Sequence, residues 1–142
     1  MKKLFIFVSF FLATAFSFAS PMSAMDTGTY VVIGKDGKQT DLYYRLSLVG
    51  THWKMEGKEA GSPWKDIGCA ATCEYLATTT DVAKAFLPRS MRENYDIACI
   101  KNAAQAFCRY TLKSNLKQGG YVVVALVTEA PSLIFVQRVT LQ

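Results

Sequence analysis

The stretch Ile97–Tyr110, IACIKNAAQAFCRY, decides the fold because its apolar residues fit two different periodicities. One periodicity is that of a β-strand, in which successive side chains point to opposite faces. In it, Ala106, Cys108, Tyr110 and Leu112 alternate with Phe107, Arg109 and Thr111. An overlapping set instead has the three- and four-residue spacing of a helix face: Ile97, Ile100, Ala104 and Phe107. The stretch therefore either continues a preceding helix or forms a β-hairpin, and both alternatives stay open.

The hairpin alternative brings two cysteines together. If Ala98–Tyr110 folds back with Ala103–Ala104 as a two-residue tip, Cys99 and Cys108 face each other. They then form a non-hydrogen-bonded pair, in which side chains approach most closely. In a continuous helix they would point to opposite sides and could not pair. The hairpin therefore predicts a Cys99–Cys108 disulfide.

The N-terminus has the features of a secretory signal peptide. Lys2 and Lys3 supply a positive start, and Leu4–Phe18 is almost wholly apolar. This run has about 15 residues, whereas a membrane-spanning helix needs roughly 20. We expect residues 1–19 to be cleaved during export, and the leader is short, as in bacterial exported proteins.

Small residues mark the expected cleavage site. Ser17 and Ala19 precede a cut before Ser20, and Ala24 offers a second cut before Met25. We expect residues 20–142 to form a single globular domain that is periplasmic or secreted, without stable membrane insertion after cleavage.

Charge argues against nucleic acid as a partner. Lys2 and Lys3 belong to the leader, so the mature chain keeps fourteen of the sixteen basic residues against eleven acidic ones. The net charge thereby falls from +5 to +3. The remaining cations are dispersed rather than clustered, which is not the pattern of a nucleic-acid-binding face.

All four cysteines lie beyond the leader, and an even count in an exported chain is typical of disulfides. A zinc site would need close C-x-x-C pairs or histidines, but the spacings are C-x3-C and C-x8-C, and His52 is the only histidine. We expect disulfides and no metal. Pairing Cys99 with Cys108 leaves Cys69 with Cys73; two long-range bridges between these regions are the alternative.

Strand patterns dominate the rest of the chain. Gly28–Gly34, Asp41–Val49 and Thr51–Glu56 predict a meander whose first turn contains Asp36-Gly37, a pair that favours tight hairpins. Gly119-Gly120 and Ala130-Pro131 predict turns that bound two further strands, Tyr121–Thr128 and Leu133–Val139. In those strands we expect the following residues to be largely buried: Val122, Val124, Leu126, Leu133, Phe135 and Val139.

Between these strands we expect a loop and one or two short helices. Gly57–Gly68 is rich in glycine and charge, which predicts a loop that contains Trp64. Thr80 or Asp81 can cap a helix that runs through Phe86, and Ser90 with Glu93 fits a capping box that begins a second helix. The predicted fold is α+β, mostly antiparallel β, as a disulfide-stabilised sandwich or partly open barrel.

No pattern in the chain is typical of a catalytic site. The phosphate-binding motifs G-x-x-x-x-G-K-S/T and G-x-G-x-x-G do not occur in the sequence. A catalytic triad would have to use His52, the only histidine. Glu56, Glu59 and Asp66 flank Trp53 and Trp64, which would suit a small hydrolase if two carboxylates converged. A basic group around Pro88, formed by Lys84, Arg89 and Arg92, could contact an anion, although a solvated face is the simpler interpretation.

These patterns favour a non-enzymatic binding protein without cofactors, with a protein partner contacted through Trp53, Trp64 and Tyr43. An immunity-type inhibitor that protects the cell from a toxin acting in the periplasm is the most concrete version. The alternatives are a secreted hydrolase that uses Glu56, Glu59 or Asp66, and a carrier of a lipid or other small ligand inside the sheet.

Overall fold

The computed structural model describes residues 20–68 and 73–140; the predicted leader and Cys69 lie outside them. In this part of the chain a 3₁₀ turn, Ala24–Asp26, precedes the first strand, and the two helices are α1 (Thr80–Phe86) and α2 (Arg89–Arg92). Nine strands are present: β1 Gly28–Ile33, β2 Gln39–Val49, β3 His52–Glu59, β4 Lys65–Asp66, β5 Leu76–Ala77, β6 Tyr95–Lys101, β7 Gln105–Leu112, β8 Asn115–Ala125 and β9 Ser132–Val139.

The nine strands form one sheet in the order β4-β3-β2-β1-β9-β8-β7-β6-β5, and every pair is antiparallel. The sheet curls into a half-barrel, with β4 and β5 at its two edges. The mostly antiparallel β fold with two short helices is therefore confirmed. Within the described residues the strands belong to this single sheet, so a sandwich of two packed sheets is not observed.

Ile97–Tyr110 is a hairpin, and the helical alternative is wrong. Cys99 and Cys108 are directly paired, disulfide-bonded, and have Cα atoms 4.1 Å apart. Asn102 closes the two-residue tip, since its backbone N donates to Gln105 O at 3.0 Å. Its side-chain Oδ1 also accepts from the backbone N of Ala104 and Gln105 at 2.9 Å. Cys73 is disulfide-bonded as well, while its expected partner Cys69 lies outside the described residues.

The predicted N-terminal meander is confirmed as β1–β3, with one extension. β3 continues to Glu59, three residues beyond the predicted end. Gly57 lies opposite Tyr44 in this extension, and a Cβ there would come within 3.0 Å of the Ile67 side chain. The glycine thus allows Ile67 to pack closely across the strand.

The predicted turn at Gly119-Gly120 is wrong, because both glycines lie inside β8 and the chain turns earlier, at Lys113-Ser114. A Cβ on Gly119 would lie only 2.2 Å from the carbonyl oxygen of Tyr110 on β7. On Gly120 it would lie 2.7 Å from the Tyr110 phenol oxygen. Glycine is required here for close approach between strands and not for a turn.

The helix caps also differ from those predicted. Thr79, rather than Thr80 or Asp81, caps α1, since its Oγ1 accepts from the backbone N of Val82 at 3.4 Å. The Ser90–Glu93 capping box is wrong, because Glu93 lies at the C-terminal end of α2. Pro88 precedes α2, and its side chain makes no capping hydrogen bond.

Apolar side chains are buried on both faces of the sheet. The concave face packs around Tyr30, Leu46, Met55, Ile100 and Phe107. On the convex face, the helices bury the other side of β6–β8 through Ala83 and Leu87, which pack with Ile97, Cys99, Ala106, Cys108, Val122 and Val124. Val122 and Val124 are buried as predicted, but the predicted buried face of β9 is wrong. Val136 is 5% exposed and faces the concave core, whereas Phe135 is 39% exposed. Leu126, Leu133 and Val139 are only half-buried.

Candidate functional site

A ladder of charged and aromatic side chains lies on the outer face of β2 and β3. In the antiparallel register Tyr43 lies opposite Lys58, and Arg45 opposite Glu56. Their neighbours in sequence, Tyr44 and Met55, pack on the concave side. This division follows from the alternation of side chains along a strand.

Glu56 is the anionic centre of the ladder, with a side chain only 13% exposed. Arg45 donates to Glu56 Oε2 through Nε at 2.8 Å and Nη2 at 2.7 Å, and Lys54 Nζ lies 3.2 Å from Oε1. Burial alone would raise the pKa of Glu56, but the hydrogen bonds from Arg45 and Lys54 outweigh it and hold that pKa below its usual range. Glu56 is therefore ionised at neutral pH.

Trp64 folds back over this ladder. Its ring centroid is 4.5 Å from the Arg45 guanidinium carbon and 4.9 Å from Lys58 Nζ, both within the range of cation–π attraction. Lys58 Nζ also lies 5.9 Å from the ring of Tyr43. The loop that carries Trp64 is tied down, since β4 pairs with β3 immediately after it. The ring is half-buried and fixed rather than displayed on a free loop.

An open groove of about 360 Å³ is lined by Pro63 and Lys65, the chain neighbours of Trp64, and by Lys58, which contacts the Trp64 ring. Tyr43, Tyr44 and Pro63 supply aromatic and apolar walls, while Lys58, Glu59 and Lys65 supply charge. We call the groove, together with Arg45 and Trp64, the Trp64 surface. It combines rigid rings with donors that a partner could contact.

Two of the three predicted binding residues lie at this surface and the third does not. The rings of Tyr43 and Trp64 both lie within cation–π range of Lys58 Nζ. Trp53 points to the other side of β3 and packs, half-buried, against the concave core. Trp53 is therefore placed to stabilise the fold, as alternation along β3 requires.

The candidate carboxylates Glu56, Glu59 and Asp66 and the single histidine have different surroundings. Asp66 Oδ1 accepts from Gly68 N at 2.8 Å, and Glu56 is tied to two cations. Glu59 is exposed at the groove. His52 Nδ1 lies 2.6 Å from Glu74 Oε1, and both side chains are largely exposed. Within residues 20–68 and 73–140, no group of three or more His, Cys, Asp or Glu side chains is arranged to hold a metal ion.

A buried polar cluster was not predicted from the sequence. Asp26 is 1% exposed, and its carboxylate accepts from Arg109 Nη1 at 2.7 and 2.8 Å and from Tyr121 Oη at 3.0 Å. The backbone N of Ser23 donates to it at 2.8 Å. The Ser23–Asp26 spacing, which forms a capping box, was the available sequence signal.

Tyr30 and Arg138 complete this cluster. Arg138 Nη2 donates to Tyr30 Oη at 2.9 Å and to Met25 O at 2.6 Å, and the Tyr30 hydroxyl donates to Asp26 O. Burial raises the pKa of Tyr30, so its phenol stays neutral. Arg109 also donates to the carbonyls of Ser20 and Pro21. The cluster therefore fastens the N-terminal segment to the sheet.

Comparison of the chain with protein-family models, with curated proteins and with solved structures finds no match. In the described part of the chain, neither helix has the length and apolar character needed to span a membrane.

Proposed function

We propose that this chain is an exported, non-enzymatic binding protein that contacts a protein partner through the Trp64 surface. The observation that supports it most directly is the fixed position of Trp64, held by Arg45 and by Lys58, and Lys58 also lines the open groove. Binding energy at protein interfaces concentrates in a few large side chains, with Trp, Tyr and Arg the most frequent. Trp64, Tyr43 and Arg45 supply all three types in one place.

The rigidity of the surface favours binding. A side chain that is already fixed loses little conformational entropy when a partner arrives. Trp64 is restrained by two cations, and the strands beneath it are joined along an eight-residue register, from Leu42↔Glu59 to Val49↔His52. The surface can therefore bind without first becoming ordered.

An immunity-type inhibitor of a periplasm-acting toxin is the most concrete form of this proposal. Such a protein needs a stable scaffold and a contact surface but no chemistry of its own. The Cys99–Cys108 disulfide stabilises the scaffold, and the Trp64 surface offers the contact surface. Release from the predicted leader would place the protein in the periplasm or outside the cell.

The alternatives draw less support from the geometry. A hydrolase that works with a carboxylate pair needs one carboxyl group able to donate a proton, whereas Glu56 is kept ionised by Arg45 and Lys54. A carrier would hold its ligand inside the half-barrel, where the described side chains of Tyr30, Met55 and Phe107 fill the concave face.

Substitution of Trp64 tests the proposal once a partner has been purified from periplasmic extract with the wild-type protein and identified by mass spectrometry. We expect Trp64→Ala to weaken that complex by at least about 2 kcal/mol, roughly a 30-fold rise in Kd. Leu116→Ala is the matched control, because Leu116 is 73% exposed on the distant β7–β8 hairpin. Equal binding by wild type and Trp64→Ala would refute the site.

Two further measurements separate binding from structure and from catalysis. Trp53→Ala should lower the melting temperature, because Trp53 packs on the core, whereas Trp64→Ala should lower it much less. Purified protein should not turn over peptidoglycan, lipid or ester substrates. Turnover that is lost with Glu56→Gln or His52→Ala would replace the binding proposal with an enzymatic one.

A further inference from the structure

A second groove lies on the convex side, between the helices and β9. It has a volume of about 260 Å³ and is walled by apolar side chains of two segments that are distant in sequence: Phe86, Leu87, Pro88, Pro131 and Leu133. Arg92 is the charged residue in its lining. The groove is therefore apolar with one guanidinium, unlike the mixed lining of the Trp64 surface.

Arg92 is held in place by the backbone of α1. Its Nε donates to Leu87 O at 2.7 Å and its Nη2 to Ala85 O at 3.2 Å. These two bonds use two of the five N–H donors of a guanidinium. The remaining N–H groups can donate to an anion, and the two carbonyls hold the guanidinium in place before the anion arrives.

The surroundings of the groove carry a small excess of positive charge. Lys84 and Arg89 adjoin the lining residues in the chain and add to Arg92. Glu93 and Glu129 are the acidic residues nearest to the lining in sequence, so cations predominate. An anionic head group is therefore favoured over a cationic one.

The walls offer few hydrogen bonds to an occupant. Pro88 and Pro131 have no N–H group. Leu87 N already donates to Lys84 O, and Leu87 O already accepts from Arg92. A peptide backbone would need such groups in order to dock, whereas a hydrocarbon chain needs none.

We propose that this groove binds a single-chain alkyl carboxylate, with the chain against Phe86 and Leu133 and the carboxylate on Arg92. Arg92, one of the three basic residues around Pro88, then has a role that its sequence pattern alone did not assign. The site lies apart from the Trp64 surface and does not depend on the partner proposed for it.

Titration with decanoate below its micelle concentration, followed calorimetrically and by backbone amide NMR, tests the proposal. Decanoate should bind and shift the amides of α1, α2 and Leu133. Decanol should bind at least tenfold more weakly, and decyltrimethylammonium should not bind detectably, because the head group must be anionic. Equal affinity for decanoate and decyltrimethylammonium would overturn the proposal.

Ala85→Trp is the decisive variant. Ala85 is exposed and lines the groove, so an indole there should fill the groove without removing a buried side chain. We expect at least a tenfold loss of decanoate affinity, while Ala103→Trp at the exposed β6–β7 tip should bind as wild type. Unchanged binding by Ala85→Trp refutes the site. The proposal is also refuted if a peptide that ends in leucine binds more tightly than decanoate, or if anionic phospholipid vesicles do.

Discussion

Asp26 and Asn102 are the two buried polar residues of the described chain, 1% and 5% exposed, and their environments differ. The Asp26 carboxylate is surrounded by donors from Arg109, Tyr121 and Ser23. Asn102, which is uncharged, uses its side-chain oxygen to close the β6–β7 hairpin. Burial of a charge is tolerated where it is paired and hydrogen-bonded, and Asp26 meets that condition.

Asp26→Asn should therefore be strongly destabilising. The substitution leaves the Arg109 guanidinium, 22% exposed, without its carboxylate. We expect the free energy of unfolding to fall by roughly 3 kcal/mol, because removing one partner of a buried pair leaves an uncompensated charge. Urea unfolding measures the change. Asp41→Asn alters the net charge equally at an exposed position and should have little effect; equal losses would contradict the prediction.

Glu56 predicts a pH-dependent contribution to stability. Its pKa is lowered in the folded protein, so its stabilising effect is complete above the unfolded value of about 4.3 and is lost as the pH falls through the folded pKa. Arg45 and Lys54 are 40% and 48% exposed, so we expect Glu56→Gln to cost about 1 kcal/mol or less at pH 7.

The difference between wild type and Glu56→Gln should shrink toward zero as the pH falls below the unfolded value of about 4.3 and through the lower folded pKa of Glu56, because Glu56 itself becomes protonated. Urea unfolding at a series of pH values measures it. Glu59→Gln, at an exposed position on the same strand, serves as the control and should show no comparable trend. A difference that grew on acidification would show that the ladder does not stabilise the ionised form.

At the scale of the elements, β9 shows how one strand divides between two environments. Val136 points into the concave core, whereas Phe135 points outward and contacts Tyr110 edge to face, with ring centroids 6.2 Å apart. Val136→Ala should cost roughly 2 kcal/mol, because it removes buried methyl groups and leaves a cavity. Phe135→Ala removes more atoms, yet it should cost less than Val136→Ala, and the two unfolding midpoints would show it. The reverse order would place Phe135 in the core.

The β6–β7 hairpin gives a second prediction at this scale. The Cys99–Cys108 disulfide joins residues nine apart in sequence. Removing it with Cys99→Ala and Cys108→Ala together should cost roughly 2–3 kcal/mol, mainly through greater freedom of the unfolded chain. Denaturant unfolding of the double variant measures the loss. A thiol assay on denatured, unreduced wild-type protein should detect no free thiol, and free thiols would contradict the bridges.

At the scale of the whole molecule, the N-terminal segment depends on side chains of four strands. Arg109 of β7 contacts Asp26 and the carbonyls of Ser20 and Pro21, and further contacts come from β1, β8 and β9. The first residues after the predicted leader are thus part of the folded domain.

This arrangement predicts that the exported protein begins at Ser20. A start at Met25 would remove Ser23, which caps the 3₁₀ turn, and the two carbonyls bound by Arg109. Intact-mass measurement of the exported protein should give a Ser20 start, and a recombinant chain that begins at Met25 should melt at a lower temperature than one that begins at Ser20. An exported product retaining Met1 would disprove cleavage.

The sequence by itself determined the strands whose signals are local. The Asp36-Gly37 turn and the alternation along Asp41–Val49 predicted β1–β3, and Gly37 has the positive φ of 78° that such turns use. The C-x8-C spacing was compatible with a cross-strand disulfide. It was enough to predict the pairing once the hairpin was assumed, but not to decide between hairpin and helix.

Only the tertiary structure decided that question. Ile97 packs on the convex face beneath the helices, while Ile100 and Phe107 pack on the concave face. A strand that is covered on both sides carries apolar residues on both faces, and their spacing can then imitate a helix. The burial of Val136 and the close approach of Gly119 to Tyr110 likewise depend on neighbouring strands, which no local pattern reveals. Local sequence fixes which side chains share a strand face, but elements distant in sequence decide which faces are covered.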